Sequence, residues 1–199
     1  MSIQYPNGKR YRTRTKQEIN KPSASIAYGG RGMSFEADID ESNQFYLMKE
    51  KAVIHKKPTP IQIVQVDYPK RSAAVIKEAY FKQASTTDYN GVYKGRYIDF
   101  EAKETKNKTS FPLQNIHSHQ VDHMRTVVQQ HGICFLLIRF FYTKEVYLLD
   151  ATMLISFYDN QKERKSIKKA DIETYGHIVH TGYQPFVDYL RTVDELYIK

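Results

Sequence analysis

Thr86-Thr87-Asp88-Tyr89-Asn90-Gly91-Val92-Tyr93-Lys94-Gly95-Arg96-Tyr97-Ile98-Asp99-Phe100-Glu101-Ala102-Lys103 reads as two strands joined through Asn90-Gly91 and Lys94-Gly95, both good turn pairs. Successive residues of a strand point to opposite faces. Glu101 and Lys103 are therefore expected to project together into one cleft, with Ala102 in the opposite packing layer.

The ending Glu101-Ala102-Lys103, preceded by Asp88 at a strand start, has the form of the D…(D/E)-x-K nuclease signature. Phosphodiester hydrolysis needs a hard divalent cation, which carboxylate oxygens bind well. Asp88 and Glu101, set side by side by the hairpin, are candidates to hold one or two Mg²⁺ ions that polarise the phosphoryl group and acidify an attacking water. Lys103 is the candidate to stabilise the transition-state charge. By the same alternation Thr86 shares a face with Asp88 and can offer oxygen to the metal. Gln120, in the first turn of a helix, can add an amide oxygen, and Glu36 is a possible further member from the first helix. A bare D…E-x-K also arises by chance in a charged chain, and Glu-Ala-Lys is a common solvated triplet.

Upstream, Ser34 can cap a helix from about Phe35 to Glu50, with Phe35, Ile39 and Tyr46 at helical spacing and acids loading the first turns. Val53-Ile54-His55 begins a strand that stops near Lys56-Lys57-Pro58-Thr59-Pro60. Ile61 to Tyr68 then alternates with period two, Pro69-Lys70-Arg71-Ser72 breaks it, and Ala73 to Gln83 returns. The pattern predicts either a protruding antiparallel excursion tipped with positive charge or an ordinary sheet hairpin. Residues 1–32 are polar and basic, with Lys9, Arg10, Arg12, Arg14, Lys16, Lys21 and Arg31 against Glu18. The expectation there is a disordered arm that orders on DNA, or an inert solubilising tail.

Downstream, a helix runs from Ser118 to about His131, with Gly132 as its stop signal. Ile133–Phe140 and Glu145–Leu149 are apolar strands suited to the middle of a sheet. Asp150 can cap a short helix through Tyr158, Lys162 to Lys169 is a second basic patch, and the chain is helical again from Val187. Strands and helices mix without regular alternation, with no internal repeat and no second-domain linker.

The 199 residues fit one domain. Lys and Arg number 30 against 22 Asp and Glu, a formal charge of +8 that favours nucleic acid as partner, although charge also serves solubility alone. The one cysteine, Cys134, lies in a core strand and excludes an internal disulfide framework or a Cys-based zinc site. His119 and His123 have the i,i+4 spacing of a zinc pair, but the Glu of H-E-x-x-H and a third ligand are missing, so polar or DNA-facing histidines are the better reading. Phosphate-loop and dinucleotide motifs are absent, and no serine sits in an elbow motif. Neither a signal peptide nor a membrane-length apolar run is evident, and a cytoplasmic location is expected.

Longer blocks carry a resemblance. His55-Lys56-Lys57-Pro58-Thr59-Pro60, Tyr68-Pro69-Lys70-Arg71-Ser72, Phe81 to Asn90, Lys94 to Thr105 and Thr109-Ser110-Phe111-Pro112-Leu113-Gln114-Asn115 together resemble the RecU Holliday-junction resolvases of low-GC Gram-positive bacteria, from Gly30 to the C-terminus. The resemblance implies an α/β fold with a restriction-endonuclease-like PD-(D/E)xK core, a mixed β-sheet flanked by helices and a protruding stalk at about 63–81. It implies a disordered basic arm over 1–30 and a nuclease domain over 31–199. It further implies a homodimer that cleaves four-way junctions with Mg²⁺ or Mn²⁺ in DNA recombination and repair, and that modulates the RecA recombinase. Position by position, Thr86, Asp88, Glu101 and Gln120 match metal-site residues and Lys103 the transition-state stabiliser. Arg31, Lys56, Lys70 and Arg71 fall near DNA. The N-terminal arm matches only loosely. The rival class is a non-catalytic junction-binding or RecA-regulating protein that keeps the fold without the chemistry.

Overall fold

The computed structural model describes residues 34–68, 74–82 and 86–198. Its centre is the strand β7 (Ile133–Phe140), all eight of whose residues are buried, as befits a strand covered on both faces. On one side it pairs in parallel with β5 (Arg96–Thr105), and on the other antiparallel with β8 (Val146–Asp150). The sheet continues through β4 (Tyr89–Tyr93) to β1 (Ala52–Lys56) at one edge and to β10 (His177–Val179) at the other. The order is β1-β4-β5-β7-β8-β10, a six-stranded mixed sheet.

Alternation along β5 and β7 divides the apolar residues between two cores. Ile98, Phe100 and Ala102 join Phe135 and Leu137 beneath the helices α1 (Phe35–Met48) and α5 (Tyr189–Tyr197). Cys134, Leu136 and Ile138 face α2 (Ser118–Gln129) and α3 (Ala151–Asp159). Across the first face Tyr89, Phe100 and Phe135 lie directly opposite one another on three neighbouring strands. Their rings stack with centroids 4.9 Å apart at each step, and Tyr189 tilts over Phe100 at 5.0 Å. Offset ring stacking of this kind adds to the area buried.

Helix starts follow the side chains available. Ser34 Oγ accepts from the Ala37 N–H at 3.2 Å, and Asp150 Oδ1 accepts from the Thr152 N–H at 2.8 Å, so both expected caps are in place. Helix α1 ends at Met48, and its first turn is tied to the sheet by Arg139. That guanidinium contacts both Asp38 and Glu104 and lies 4.7 Å from the Phe35 ring centre.

Two local expectations are corrected and one stretch gains detail. Asn90-Gly91 is no turn: Lys94-Gly95, with φ of 47° and 75°, makes the hairpin, and Gly91 lies within β4. A Cβ on Gly91 would come 2.0 Å from the Val53 carbonyl oxygen, so glycine lets β1 approach β4 there. The residue in the left-handed region after α2 is His131, φ 59°, in place of Gly132. The basic patch at 162–169 is partly a strand: β9 (Ser166–Lys168) pairs with β6 (Ser110–Pro112), and a short helix α4 (Lys169–Tyr175) follows.

The excursion is a separate two-stranded ribbon. β2 (Ile61–Asp67) pairs antiparallel with β3 (Val75–Phe81), with register shifts between Ile63 and Val66, and neither strand joins the main sheet. Its base is closed by the Lys82 N–H donating to the Pro60 carbonyl at 2.9 Å. Residues 69–73, which include Lys70 and Arg71, and residues 1–33, which include Arg31 and the basic arm, lie outside the described residues.

Candidate active site

The register that pairs Tyr89 with Phe100 sets Asp88 opposite Glu101. The Asp88 N–H donates to Glu101 Oε2 at 3.1 Å, and the Asp88 carbonyl accepts from the Lys57 N–H at 2.7 Å. Asp88 is thus held from both neighbouring strands just before β4 begins. Glu101 and Lys103, two apart on β5, share the face turned to α2, while Ala102 packs into the opposite core as alternation requires. Lys103 Nζ contacts Glu101 Oε1 and lies 3.6 Å from Asp88 Oδ2. Glu101 is fully buried, whereas the Asp88 and Lys103 side chains keep 29% and 25% of their surface exposed. The group therefore has a floor and a mouth.

Burial raises the Glu101 carboxyl to about 8 against the pull of Lys103, with Asp88 pushing the same way as burial. Two acids around one ammonium, one of them too poorly solvated to ionise easily, form an oxygen site that added positive charge would satisfy. Among the described residues no three His, Cys, Asp or Glu side chains gather as a metal cluster. A pair of carboxylates nevertheless suits a hard divalent ion that takes the rest of its shell from water and phosphate oxygens.

The other candidates are placed differently. Thr86 and Asp88 are not on a strand, because β4 starts at Tyr89; Thr86 Oγ1 donates to the Thr87 carbonyl at 3.3 Å. Gln120 is buried in the first turn of α2 as expected, and its Oε1 accepts from the His117 N–H at 3.0 Å, a helix-capping bond. Its carbonyl keeps a second lone pair. Glu36 pairs with Lys56 at the start of α1, and its backbone carbonyl accepts from Tyr89 OH at 3.3 Å. Lys56 and Lys57 line, with Lys82, Thr86 and Asp88, a cleft of about 240 Å³ beside the acid pair.

A second polar cluster lies behind the first. Asp99, two residues before Glu101 on the same face, is fully buried. Lys57 Nζ and Tyr97 OH donate to its Oδ2 at 2.8 and 2.7 Å, Thr87 Oγ1 donates to Oδ1, and His123 Nε2 is 3.2 Å from Oδ2. Lys57 Nζ also donates to Thr87 Oγ1 at 3.0 Å. The cluster fastens Thr87, and with it the backbone that presents Asp88. Sequence reasoning passed over Asp99, although the alternation that selected Glu101 and Lys103 also put Asp99 in that row. The His119–His123 pair is divided: His123 reaches Asp99, and His119 stacks on His117 with centroids 5.4 Å apart. Cys134 is a buried thiol whose pKa burial pushes up, as a core residue.

Residues 30–195 match the family described as Recombination protein U, RecU. The chain is 67% identical over 198 residues to the Holliday junction resolvase RecU of Shouchella clausii (strain KSM-K16), covering 99% of this chain and 96% of that protein. It is 59% identical to the Holliday junction resolvase RecU of Geobacillus sp. (strain WCH70), over 99% of this chain and 98% of that one. Against the protein of the same name from Bacillus cereus (strain G9842) it is 58% identical, over 99% of each. With likeness running through the signature strands and nearly end to end, the chain belongs to the RecU family.

Proposed function

We propose that the chain is a structure-selective endodeoxyribonuclease that resolves four-way DNA junctions, with Asp88, Glu101 and Lys103 at its catalytic centre. The observation that carries this reading is that Lys103 Nζ contacts Glu101 Oε1 and lies 3.6 Å from Asp88 Oδ2, bringing one ammonium between two acids, in a family whose relatives are named for junction resolution. The mixed sheet with its helices is, in this reading, a restriction-endonuclease-like core, the nuclease domain spans 31–199, and residues 1–30 are a basic arm that contacts DNA.

Asp88 and Glu101 would hold the divalent ion, Mg²⁺ or Mn²⁺. Thr86 and Gln120, the positions that match the family's metal site, would supply further oxygens to its shell. A divalent ion held there would supply Lewis-acid chemistry, polarising a scissile phosphoryl group and lowering the pKa of water. Lys103 brings an ammonium beside the phosphate, where it meets negative charge that grows toward the transition state. Lys56, on the cleft wall, orients the backbone, and Lys70, Arg71 and Arg31 add phosphate contacts. Glu36 neutralises Lys56 until phosphate replaces it. In this reading the working form is a homodimer in the cytoplasm, and the RecA recombinase is a further partner.

The test offers purified protein a synthetic four-way junction and a linear duplex of the same sequence, with Mg²⁺. Junction cutting is expected, with Asp88→Asn and Glu101→Gln still binding the junction while losing cleavage. Equal cutting of both substrates rejects structure selectivity. Retained binding without cleavage by the unaltered chain points to a non-catalytic junction-binding protein.

A further inference from the structure

Strand β5 outruns its antiparallel neighbour β4 at its C-terminal end: Tyr89 is opposite Phe100, and Glu101 to Thr105 pair with β7 alone on through Phe140. The ends of β1 and β5, the start of β4 and the loop between β7 and β8 therefore share one edge of the sheet with Asp88, Glu101 and Lys103. The lysines at the end of β1 already lie on one flank of the acid pair. On the other flank, two loops carry a cluster that the proposed chemistry does not use.

Lys106 and Lys108 follow β5, and Phe141, Tyr142 and Lys144 form the turn after β7. Lys144 Nζ lies 4.1 Å from the Phe141 ring centre, Lys106 Nζ 5.8 Å from the same ring, and Lys108 Nζ 5.1 Å from the Tyr142 ring. The two rings meet edge to face at 5.4 Å. The Phe141 N–H donates to the Thr105 carbonyl at 2.9 Å, the Lys144 N–H to the Phe140 carbonyl at 2.8 Å, and the Asn107 N–H to Thr105 Oγ1 at 3.2 Å, so both loops are pinned. All three lysines and Tyr142 are exposed.

Among the described residues no acid forms an ion pair with this cluster. The flanking acids are engaged elsewhere, Glu104 by Arg139 and Glu145 by Lys169. Rings hold the stems in place while the ammonium groups stay in water, a preorganised set of cations that lacks only anions.

We infer that this aromatic-backed lysine cluster is a second DNA contact, gripping the phosphodiester backbone on the side of the cut away from Lys56. The inference rests on the nuclease reading of the neighbouring site. Two to four strand spacings of about 4.8 Å separate β1 from the loops after β5 and β7, roughly 10 to 19 Å. With one phosphate per about 3.4 Å of axis on each strand, that distance spans about three to six nucleotides. Recognition here is of phosphate and not of base sequence.

The full chain is titrated with a fluorescent four-way junction and with linear duplex, in EDTA, over about 50 to 200 mM salt. The triple variant Lys106→Gln, Lys108→Gln, Lys144→Gln is expected to weaken binding to both DNAs and to reduce the slope of log affinity against log salt by about 0.9 per lysine, between 2 and 3 in all. The single variant Lys108→Glu, at an exposed position, reduces it by about 1 or more and serves if the triple variant folds poorly. Lys49→Gln, which removes a lysine lying over Phe45 at the far end of α1, leaves the slope unchanged. An unchanged slope in the Lys106, Lys108 and Lys144 variants overturns the inference, as does an equal loss per lysine in Lys49→Gln. Failure of the unaltered chain to cut junctions sinks the nuclease reading and leaves the salt slopes to be judged by themselves.

Discussion

Burying Glu101 completely while Asp88 and Lys103 stay partly open places one carboxyl where ionisation is resisted until a cation arrives. The sign of the pH effect follows. Its folded-state value of about 8 exceeds the ordinary 4.5, so between those limits the folded protein holds a proton that the unfolded chain has released. For the metal-free protein this group's contribution to stability is greatest below the ordinary value and declines as pH rises toward 8. Binding of a divalent ion must expel that proton, so Mg²⁺ affinity measured by calorimetry should climb with pH up to about 8 and level off above it. Glu101→Gln should flatten the profile. An affinity independent of pH in the unaltered protein would count against the buried carboxyl as a ligand.

Asp99 makes a different demand. Its carboxylate is fully enclosed, and Lys57 compensates it with 18% of its own side chain still exposed. Asp99→Asn should cost about 3 kcal/mol in urea unfolding, toward the lower end for a broken buried pair because Lys57 can still reach water. The double variant with Lys57→Met should cost less than the two single changes added together. Additive losses would mean that the pair is not a coupled unit.

Among elements, the ribbon β2–β3 differs most from its surroundings. None of its residues enters either core, and its base is closed by Pro60 and Lys82. Replacing 61–81 with a short Gly-Ser turn should therefore move Tm by no more than about 4 °C, equivalent to roughly 1 kcal/mol at this size. Preference for a four-way junction over duplex should fall sharply in the same protein, read as the ratio of the two affinities. A large drop in Tm would show that the ribbon is structural. Prolines and period-two alternation made this ribbon legible, as the alternation of β5 made Glu101 and Lys103 legible and the caps Ser34 and Asp150 located two helices. Other features leave little local trace. Gly91 follows an asparagine as a turn glycine would, yet what it satisfies is the approach of Val53 from a strand distant in sequence. β6 and β9, three residues each, are too short to show a period and exist because they pair with each other. Gln120 was recognised by its place in the first turn of α2, but its bond to the His117 N–H belongs to helix capping, which the metal-site reading did not consider.

For the whole molecule the question is how many cuts one encounter delivers. A four-way junction must lose two strands of like polarity to give ligatable duplexes, and one acid pair per chain can attack one strand at a time. A two-fold dimer presents two such pairs related by the symmetry of the junction itself. Mixing the unaltered chain with an equal amount of Asp88→Asn, refolded together so that subunits exchange, should give about a quarter unaltered dimers, half mixed and a quarter inactive, as random pairing requires. On a supercoiled plasmid with an extruded cruciform, paired cutting releases linear DNA, whereas a mixed dimer leaves a nicked circle. Linear product should drop to about a quarter of its initial rate, with nicked circles becoming the main product. Mixing the same two proteins without refolding, so that subunits do not exchange, should leave linear product at about half. If single chains cut independently, the refolded and the unexchanged mixtures should behave alike, and that equality would rule out a dimer with two coupled sites.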